Sequence, residues 1–469
     1  MAATTDLLGS AFPRRVRVIV AMALVAAVSG CASVDPKPDY QRAREEVKAA
    51  TGEDALYQPG DEERVRKQVA ELMKGGLTSK KAVQICLLNN RSLQQQLFEI
   101  GMRRADAVQA GLLSNPSLQL MVRFPLDGGN TNLEGGLIQN LIELWHLPAR
   151  TRVAESQVDR TVLEVARRAV VLAAQAKSAY FTAVASGASL AVAEENLKTA
   201  QEFLELTRER KDAGAATQVD ENAARSGFLE QQVFVRSTRF AAFEAKRRLA
   251  LVLGVSVPPQ DIQIAGPPLT PPEWSVDLKR LLSVAEQHRL DLRAAKKSVE
   301  AAGNAVPLER RRYLRNVGGG LAFEAVGSDV ELGPAFRLEI PIFDQNQAQI
   351  AKAEFRFSQA LRRLEGVAAQ VSQQVRGAYE RYAMAQETAR LYQKELLPLQ
   401  QASLELARES FAAGKTGFLS VLEAQNRLLA TRRDYVNRLE SVAQSIPELE
   451  AACGRPLDVL LGVDGDREK

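Results

Sequence analysis

One long helical pattern occurs twice in this chain, and that duplication rules out most folds before composition is considered. In the first half, apolar or small residues stand at Val162, Val165, Ala169, Leu172, Ala176, Ala179, Ala183, Ser186, Leu190, Ala193 and Leu197, in alternating steps of three and four. About 199 residues later the same alternation runs through Leu361, Leu364, Ala368, Val371, Val375, Ala378, Tyr382, Ala385, Ala389, Tyr392 and Leu396. A seam with that spacing is the buried stripe of a coiled coil. From Ala149 to Ala213 the helix is predicted to run for roughly 65 residues, close to 100 Å at about 1.5 Å per residue. Gly214 interrupts it, and Gln218 to Leu253 is predicted to return alongside, so the reversal forms a hairpin tip. The second copy reverses around Gly414, with Pro398 expected to kink its outgoing arm. Aromatic residues make up only 6% of the chain and charged ones 25%, the profile of long helices packed along narrow seams. A heptad performs no chemistry, so function has to come from how the copies assemble.

Each copy also carries a strand pair ahead of its long helix. Ser117 to Phe124 alternates, with Leu118, Leu120, Val122 and Phe124 on one side and Gln119, Met121 and Arg123 on the other. Leu133 to Leu144 is its noisier partner across an Asp127-Gly128-Gly129-Asn130 turn. In the second copy Gly318 to Val326 pairs with Val330 to Pro341, which sets Glu331, Arg337 and Glu339 against an apolar face. Four strands of about ten residues have the length that a tilted strand needs to cross a bilayer. Four strands cannot close on themselves, and an open edge in lipid leaves backbone groups unpaired at several kcal/mol apiece, so a membrane reading requires oligomers. The competing reading is a soluble pair of hairpins whose apolar face lies on helices.

The first thirty residues bear on the compartment. Arg14, Arg15 and Arg17 precede an apolar run of about eleven residues from Val18 to Val28, too short to span a bilayer, and Val28-Ser29-Gly30-Cys31 follows. Small residues ahead of a cysteine resemble the lipobox of bacterial lipoproteins, which implies cleavage before Cys31 and lipidation of it; a plain signal peptide is the alternative. Ala32 in place of an Asp points, by the same resemblance, to the outer membrane. Cleavage would take the formal charge from +4 to +2, a balance that gives no indication of nucleic-acid binding. Cys86 and Cys453 remain, either as a pair or as two unrelated buried thiols.

The expected organisation is a signal peptide at 1–30 and an anchored N-terminal linker or equatorial segment at 31–76, with a turn or two of helix around Arg42 to Ala50. Repeat one spans 77–256 with strands at 117–144, and a proline-rich, non-helical bridge covers 257–274. Repeat two spans 275–461 with strands at 318–341, and 462–469 is a tail. Each repeat opens on one helix, the first capped by Thr78 or Ser79 and carrying Val83 through Ile100. Enzyme readings fail: the only histidines are His146 and His288, and no P-loop, nucleophile elbow or Cys/His cluster occurs, so no metal or cofactor is expected. His146 beside Trp145 is read as part of an interfacial aromatic girdle, and Gly318-Gly319-Gly320 as strand-entry flexibility.

These residues carry a family resemblance. Gly333-Pro334 through Pro341-Ile342-Phe343-Asp344, with Gln349 to Glu354, resembles the strand-to-helix exit of TolC-like outer-membrane efflux factors. The tips, Ala213 to Asp220 and Phe411 to Ala424, are similar to that family's two hairpin reversals, and the likeness covers nearly all of the mature chain. It implies a mainly α fold with a small β part. In a homotrimer, twelve strands would close one barrel in the outer-membrane lipid above a helical tunnel in the periplasm. It further implies an exit duct served by a periplasmic adaptor and an inner-membrane transporter of the resistance-nodulation-division type. Arg123, Glu331, Arg337 and Glu339 would then face the barrel lumen. Gly214, Thr217, Asp220, Gly414, Thr416, Ser420 and Glu423 would form the tip constriction and adaptor contact. Asp220 and Glu423 match acidic tip positions, with simple decoration of a solvated helix as the alternative. By the same resemblance, Ser420 stands where the family's best-known member has a second carboxylate, and Phe411 and Thr416 replace the tyrosine and arginine of that member's tip latch. Stretches such as Ala107 to Pro116 and Leu144 to Arg150 are similar to members tied to heavy-metal export. Drugs, solvents, a secreted polypeptide, or a pore-free coiled-coil scaffold are the other readings.

Overall fold

The computed structural model describes residues 33–267, 269–271 and 277–461. The expectations for 1–30, Cys31 and 462–469 lie outside the described residues. In chain order the elements are α1 (Lys37–Thr51), α2 (Glu62–Leu72), α3 (Ser79–Asn89), α4 (Arg91–Ala110), β1 (Ser117–Arg123), β2 (Asn132–Asn140), α5 (Glu143–Asp212) and α6 (Gln218–Leu253). Then come α7 (Leu278–His288), α8 (Leu290–Arg311), β3 (Val317–Val326), β4 (Asp329–Leu338), α9 (Gln347–Leu391), α10 (Leu397–Ala412), α11 (Phe418–Cys453) and α12 (Leu457–Leu461).

In the stretch read as a linker or equatorial segment, the turn or two of helix expected around Arg42 to Ala50 is the longer helix α1, and a second helix, α2, follows it. Tyr40, Ala43, Val47 and Ala50, at helical spacing, are buried in one cluster with Leu93, Leu97, Ile100, Val158 and Val162. Asp39 is only 1% exposed and is held by Arg104 at 2.6 and 2.8 Å and by Arg42 at 2.5 Å. Burial works against its charge, but the hydrogen bonds and charges of the two arginines hold its pKa below the ordinary carboxylate range. The proline-rich bridge is mostly irregular, with one 3-10 turn at Pro259–Asp261 and a bridge from Leu77 to Ile264.

Each repeat opens on two helices where one was expected. Thr78 caps the first, accepting from the Lys81 N–H at 3.2 Å, and Asn90 breaks it at ψ 116° and starts the next by accepting from the Leu93 N–H. Arg289 makes the same break in repeat two at ψ 119°. The reason lies in the far end of each hairpin. Gly254 and Gly454 end α6 and α11 in the left-handed region at φ 68° and 74°, and a Cβ would sit 2.9 Å from the Asn89 carbonyl or 3.3 Å from that of His288. The returning helix abuts the break, so the two features occur together in both copies.

The helix α5 has 70 residues and begins ahead of Ala149, with Pro148 accommodated inside it. Every heptad position from Val162 to Leu197 is sheltered from solvent. In the second copy the seam is buried from Val371 to Ala389, whereas Leu361 and Ala368 are exposed because α9 stands at the edge of the helical layer. Near the sheet the layer order is α4, α5, α8, α9; near the tips it is α6, α5, α11, α10. Pro398 is accommodated as expected from its missing N–H: a π turn at Tyr392–Leu396 interrupts the arm, and α10 restarts with the proline in its first turn. The thiols Cys86 and Cys453 are free and buried in separate clusters.

The four strands form one antiparallel sheet in the order β1-β2-β3-β4, so the two repeats meet at β2 and β3. The glycine run is corrected by this register. Gly318 to Gly320 lie within β3, and a Cβ on Gly320 would fall 1.9 Å from the Leu137 carbonyl oxygen, so close backbone approach is what excludes a side chain. Phe323 lies over Gly135, whose added Cβ would meet its ring at 2.4 Å, an aromatic side chain covering a strand glycine. Both outer strands, β1 and β4, have one unpaired edge within the chain, and the edge position is where Pro334 is tolerated.

Candidate functional site: the sheet lining and the hairpin tips

Strand pairing sorts the sheet into two faces. Directly paired rows run Leu118–Leu137–Leu321–Pro334, Leu120–Gly135–Phe323–Leu332 and Val122–Leu133–Ala325–Val330. These are apolar, and Leu118, Leu120, Leu321, Leu332 and Val330 are more than half exposed in the single chain. The opposite face carries the row Met121–Glu134–Glu324–Glu331. Three carboxylates therefore stand side by side on strands about 4.8 Å apart. Like charges placed opposite one another destabilise a sheet, so the row is not there for folding.

Arg123 ion-pairs with Glu134, and Asn132 donates to Glu324 at 2.7 Å, which offsets part of the repulsion. Arg337 reaches Gln119 at 3.4 Å, and Glu339, just past β4, accepts from Asn316. All four side chains predicted for the lining thus fall on the polar face. Glu134 and Glu324 escaped sequence reading because β2 is noisy and its register with β3 spans the two repeats. His146 does not belong to a girdle: it is 8% exposed, and its Nε2 lies 3.1 Å from the Arg311 carbonyl oxygen. Trp145 beside it is exposed, with the Arg311 guanidinium 5.7 Å from its ring.

At the tips, Gly214 and Gly414 adopt φ 74° and 73°, and in each the following N–H closes back onto the helix, Ala215 onto Arg210 and Lys415 onto Ser410. Thr217 and Asp220 form a reciprocal capping box: the Asp220 carboxylate accepts from the Thr217 N–H at 2.8 Å, and Thr217 Oγ accepts from the Asp220 N–H at 3.2 Å. Repeat two starts its return helix from Gly417 with no side-chain cap. There Thr416, Ser420 and Glu423 are exposed, and Glu423 accepts from Arg427 one turn on at 2.7 Å. Among the described residues no three His, Cys, Asp or Glu side chains group to hold a metal ion, and no helix is long and apolar enough to cross a membrane.

A profile of the outer membrane efflux protein family matches residues 82–255 and 281–455, two segments offset as the internal repeat is. The chain belongs to the outer membrane efflux protein family. It is 22% identical to the probable efflux pump outer membrane protein TtgC of Pseudomonas putida over 91% of this chain and 93% of that one. With the probable outer membrane lipoprotein SilC of Salmonella typhimurium it shares 24% identity over 58% of this chain and 61% of the relative. The crystal structure of the outer membrane protein VceC of Vibrio cholerae superposes with a TM-score of 0.67 at 19% identity, covering 84% of this chain and 98% of that one. An outer membrane efflux protein is the exit duct of a tripartite efflux system, served by an adaptor and an inner-membrane transporter, and this chain fills that role in the outer membrane. The family is one of channel proteins.

Proposed function

We propose that three copies of this chain close a twelve-stranded barrel, anchored by lipid on Cys31, that passes cationic and neutral solutes rather than anions. The observation that carries the reading is the division of the sheet into one face that is apolar apart from Gln139 and one face on which Glu134, Glu324 and Glu331 stand side by side next to Met121. The free edges of β1 and β4 must find partners in lipid, and a copy of the same chain supplies both. Three copies of Glu134, Glu324 and Glu331 then make one acidic tier, and three copies of Glu423 at the tips make a second. A transporter of the resistance-nodulation-division type is the expected inner-membrane partner, supported by similarity to efflux pump components such as TtgC. Similarity to SilC, a lipoprotein by name, supports the lipid on Cys31. Gly214, Thr217, Asp220, Gly414, Thr416 and Ser420 shape the surface offered to the adaptor.

Single-channel recording in planar bilayers tests the filter. Glu423→Gln and Glu324→Gln are each expected to move the reversal potential in a salt gradient toward that of a non-selective pore and to weaken block by divalent cations. Unchanged selectivity and block in both variants would refute the cationic filter. A pore-free scaffold held only by lipid would leave the apolar sheet face in water, an exposed patch of a kind soluble proteins avoid. Cys31→Ser separates the two: the barrel stays in carbonate-washed outer membranes without its lipid, and release into the soluble fraction would mean the scaffold.

A further inference from the structure

Where the helices join the sheet, one arginine in a basic cluster has no counter-ion. The end of α8 and its connection to β3 carry Arg310, Arg311, Arg312 and Arg315. Three of these are neutralised, Arg310 by Glu354 at 2.8 Å, Arg312 by Glu309 at 2.7 Å and Arg315 by Asp344 at 2.8 Å. Among the described residues Arg311 has no carboxylate partner, and its guanidinium lies instead 5.7 Å from the centre of the Trp145 ring. Arg152, exposed on α5 seven residues after Trp145, likewise has no side-chain partner among the described residues. Arg150 between them is occupied structurally, donating to the Ala110 and Leu112 carbonyls.

Helix register fixes the side of the layer on which this group stands. Trp145, Arg152 and Asp159 follow one another at steps of seven on α5, as Arg311, Asn304 and Lys297 do on α8. Residues at that spacing share a helix face. The two stripes meet where Asn304 donates to Ser156 at 3.3 Å and where Lys297 pairs with Asp159 at 3.4 Å, and Asp159 also pairs with Arg42 of α1 at 2.6 Å. They therefore run on the face of the layer that carries α1. At the sheet end, a Cβ on Gly319 would lie 2.8 Å from Leu141 Cδ1, and Gly319 is paired with Gln139 on the apolar face. Leu141, Leu144 and Trp145 continue that face and are about half exposed, at 46%, 56% and 46%. In the layer order α4, α5, α8, α9 the two helices are the inner ones, so copies joined through β1 and β4 leave the group uncovered.

We propose that Arg311 and Arg152, with the Trp145 ring beside them, bind the headgroup of an anionic phospholipid of the phosphatidylglycerol type in the leaflet next to the helical tunnel. The inference rests on the trimeric-barrel reading. An indole at the boundary keeps its ring among acyl chains, and an arginine alongside reaches the phosphate with its planar fork of donors. Two charges with no carboxylate to offset them favour a net-negative headgroup over a zwitterionic one, whose own ammonium already balances its phosphate.

Quenching of tryptophan fluorescence by brominated lipid tests this in the assembled protein. Trp274 is the only other tryptophan in the chain, so Trp274→Phe leaves Trp145 as the sole reporter. In phosphatidylcholine nanodiscs, brominated phosphatidylglycerol is expected to quench Trp145 more than the same fraction of brominated phosphatidylcholine, a preference of roughly fivefold for each guanidinium. Arg311→Gln keeps the backbone carbonyl that His146 meets, and it and Arg152→Gln should each reduce the preference. Arg236→Gln, the same charge change midway along α6, should not. Equal quenching by the two lipids, or a preference that survives both Arg311→Gln and Arg152→Gln, overturns the proposal. Excess inorganic phosphate is expected to leave the preference intact; its loss would assign the arginines to free phosphate and overturn the lipid. Should Trp274→Phe fail to assemble, native mass spectrometry of the extracted oligomer decides. Wild-type protein is expected to retain added phosphatidylglycerol over phosphatidylcholine and Arg311→Gln to lose that difference, and equal retention by the wild type overturns the proposal. Trp145 quenched by neither lipid would count against the barrel reading instead, because the sheet would then stand outside the bilayer.

Discussion

Arg289→Met is expected to remove most of the stability of the assembled protein. Arg289 is 1% exposed and sits at the break between α7 and α8. Its guanidinium holds both Asp291 oxygens, at 2.9 and 2.5 Å, the Gln374 side chain at 2.7 Å, and the Ala452 carbonyl at the end of α11 at 2.9 Å. Methionine fills similar space but leaves the carboxylate and the helix-end carbonyls without those donors, and breaking a buried pair from one side costs roughly 3–5 kcal/mol. Arg167, 3.6 Å from Asp291, already donates to the Ala451 carbonyl oxygen at 3.0 Å, and burial and then the Arg289 charge lower its pKa to about 10, which leaves it charged at neutral pH. Burial opposes the Asp291 charge as well, yet Arg289 outweighs it and holds the carboxyl below the ordinary range. A depressed carboxyl stabilises the fold above its unfolded value of about 3.9 and loses that contribution as pH falls toward the depressed one. Thermal melting of the detergent-extracted oligomer should therefore show a much lower midpoint for the variant at neutral pH, with the gap closing in strong acid. An unchanged midpoint at pH 7 would mean that Arg289 is a passenger.

Gly320→Val should prevent assembly of the barrel altogether. The residue lies in β3 opposite Ile138 of β2, at the one place where the strands of the two repeats pair. Its Cβ would fall 1.9 Å from the Leu137 oxygen and 2.9 Å from the Ile138 Cα, both backbone atoms that cannot rotate away. The strands must separate, and in lipid each hydrogen bond lost between them costs several kcal/mol. Gly333→Val is the control, because a Cβ there meets nothing within 4 Å. Immunoblots of purified outer membranes are expected to show the Gly333→Val protein near wild-type amounts and almost no Gly320→Val protein. Equal amounts of the two would refute the close-approach explanation.

The heptads, both glycine reversals, the Pro398 interruption and the four strands were legible because each is a local pattern. Periodicity and turn chemistry are set by neighbours within about seven residues. The α1 helix was read only as a turn or two around Arg42 to Ala50, although Tyr40, Ala43, Val47 and Ala50 have helical spacing, because Pro36, Pro38 and the surrounding charges dominate the composition there. Its stability comes from packing on α4 and α5 and from the buried Asp39 ion pairs, which involve partners far along the chain. The breaks at Asn90 and Arg289 were missed for the same reason: each is a junction with a helix end more than 160 residues away.

The candidate site divides in the same manner. Arg123, Glu331, Arg337 and Glu339 could be placed on a polar face from alternation alone, since side-chain direction reverses at every residue of a strand. The carboxylate row they belong to needed the register between β2 and β3, which no local pattern encodes. At the tips, the sequence showed that Phe411 departs from a polar latch, but only the fold brings Phe203, Arg210 and Phe418 around it. The sequence by itself therefore determined the architecture: two copies of a strand pair and a long helical hairpin, and with them the family. Tertiary structure alone decided which charges and rings meet. Those contacts join the two copies, and their geometry depends on how the copies pack and not on the order of residues within either one.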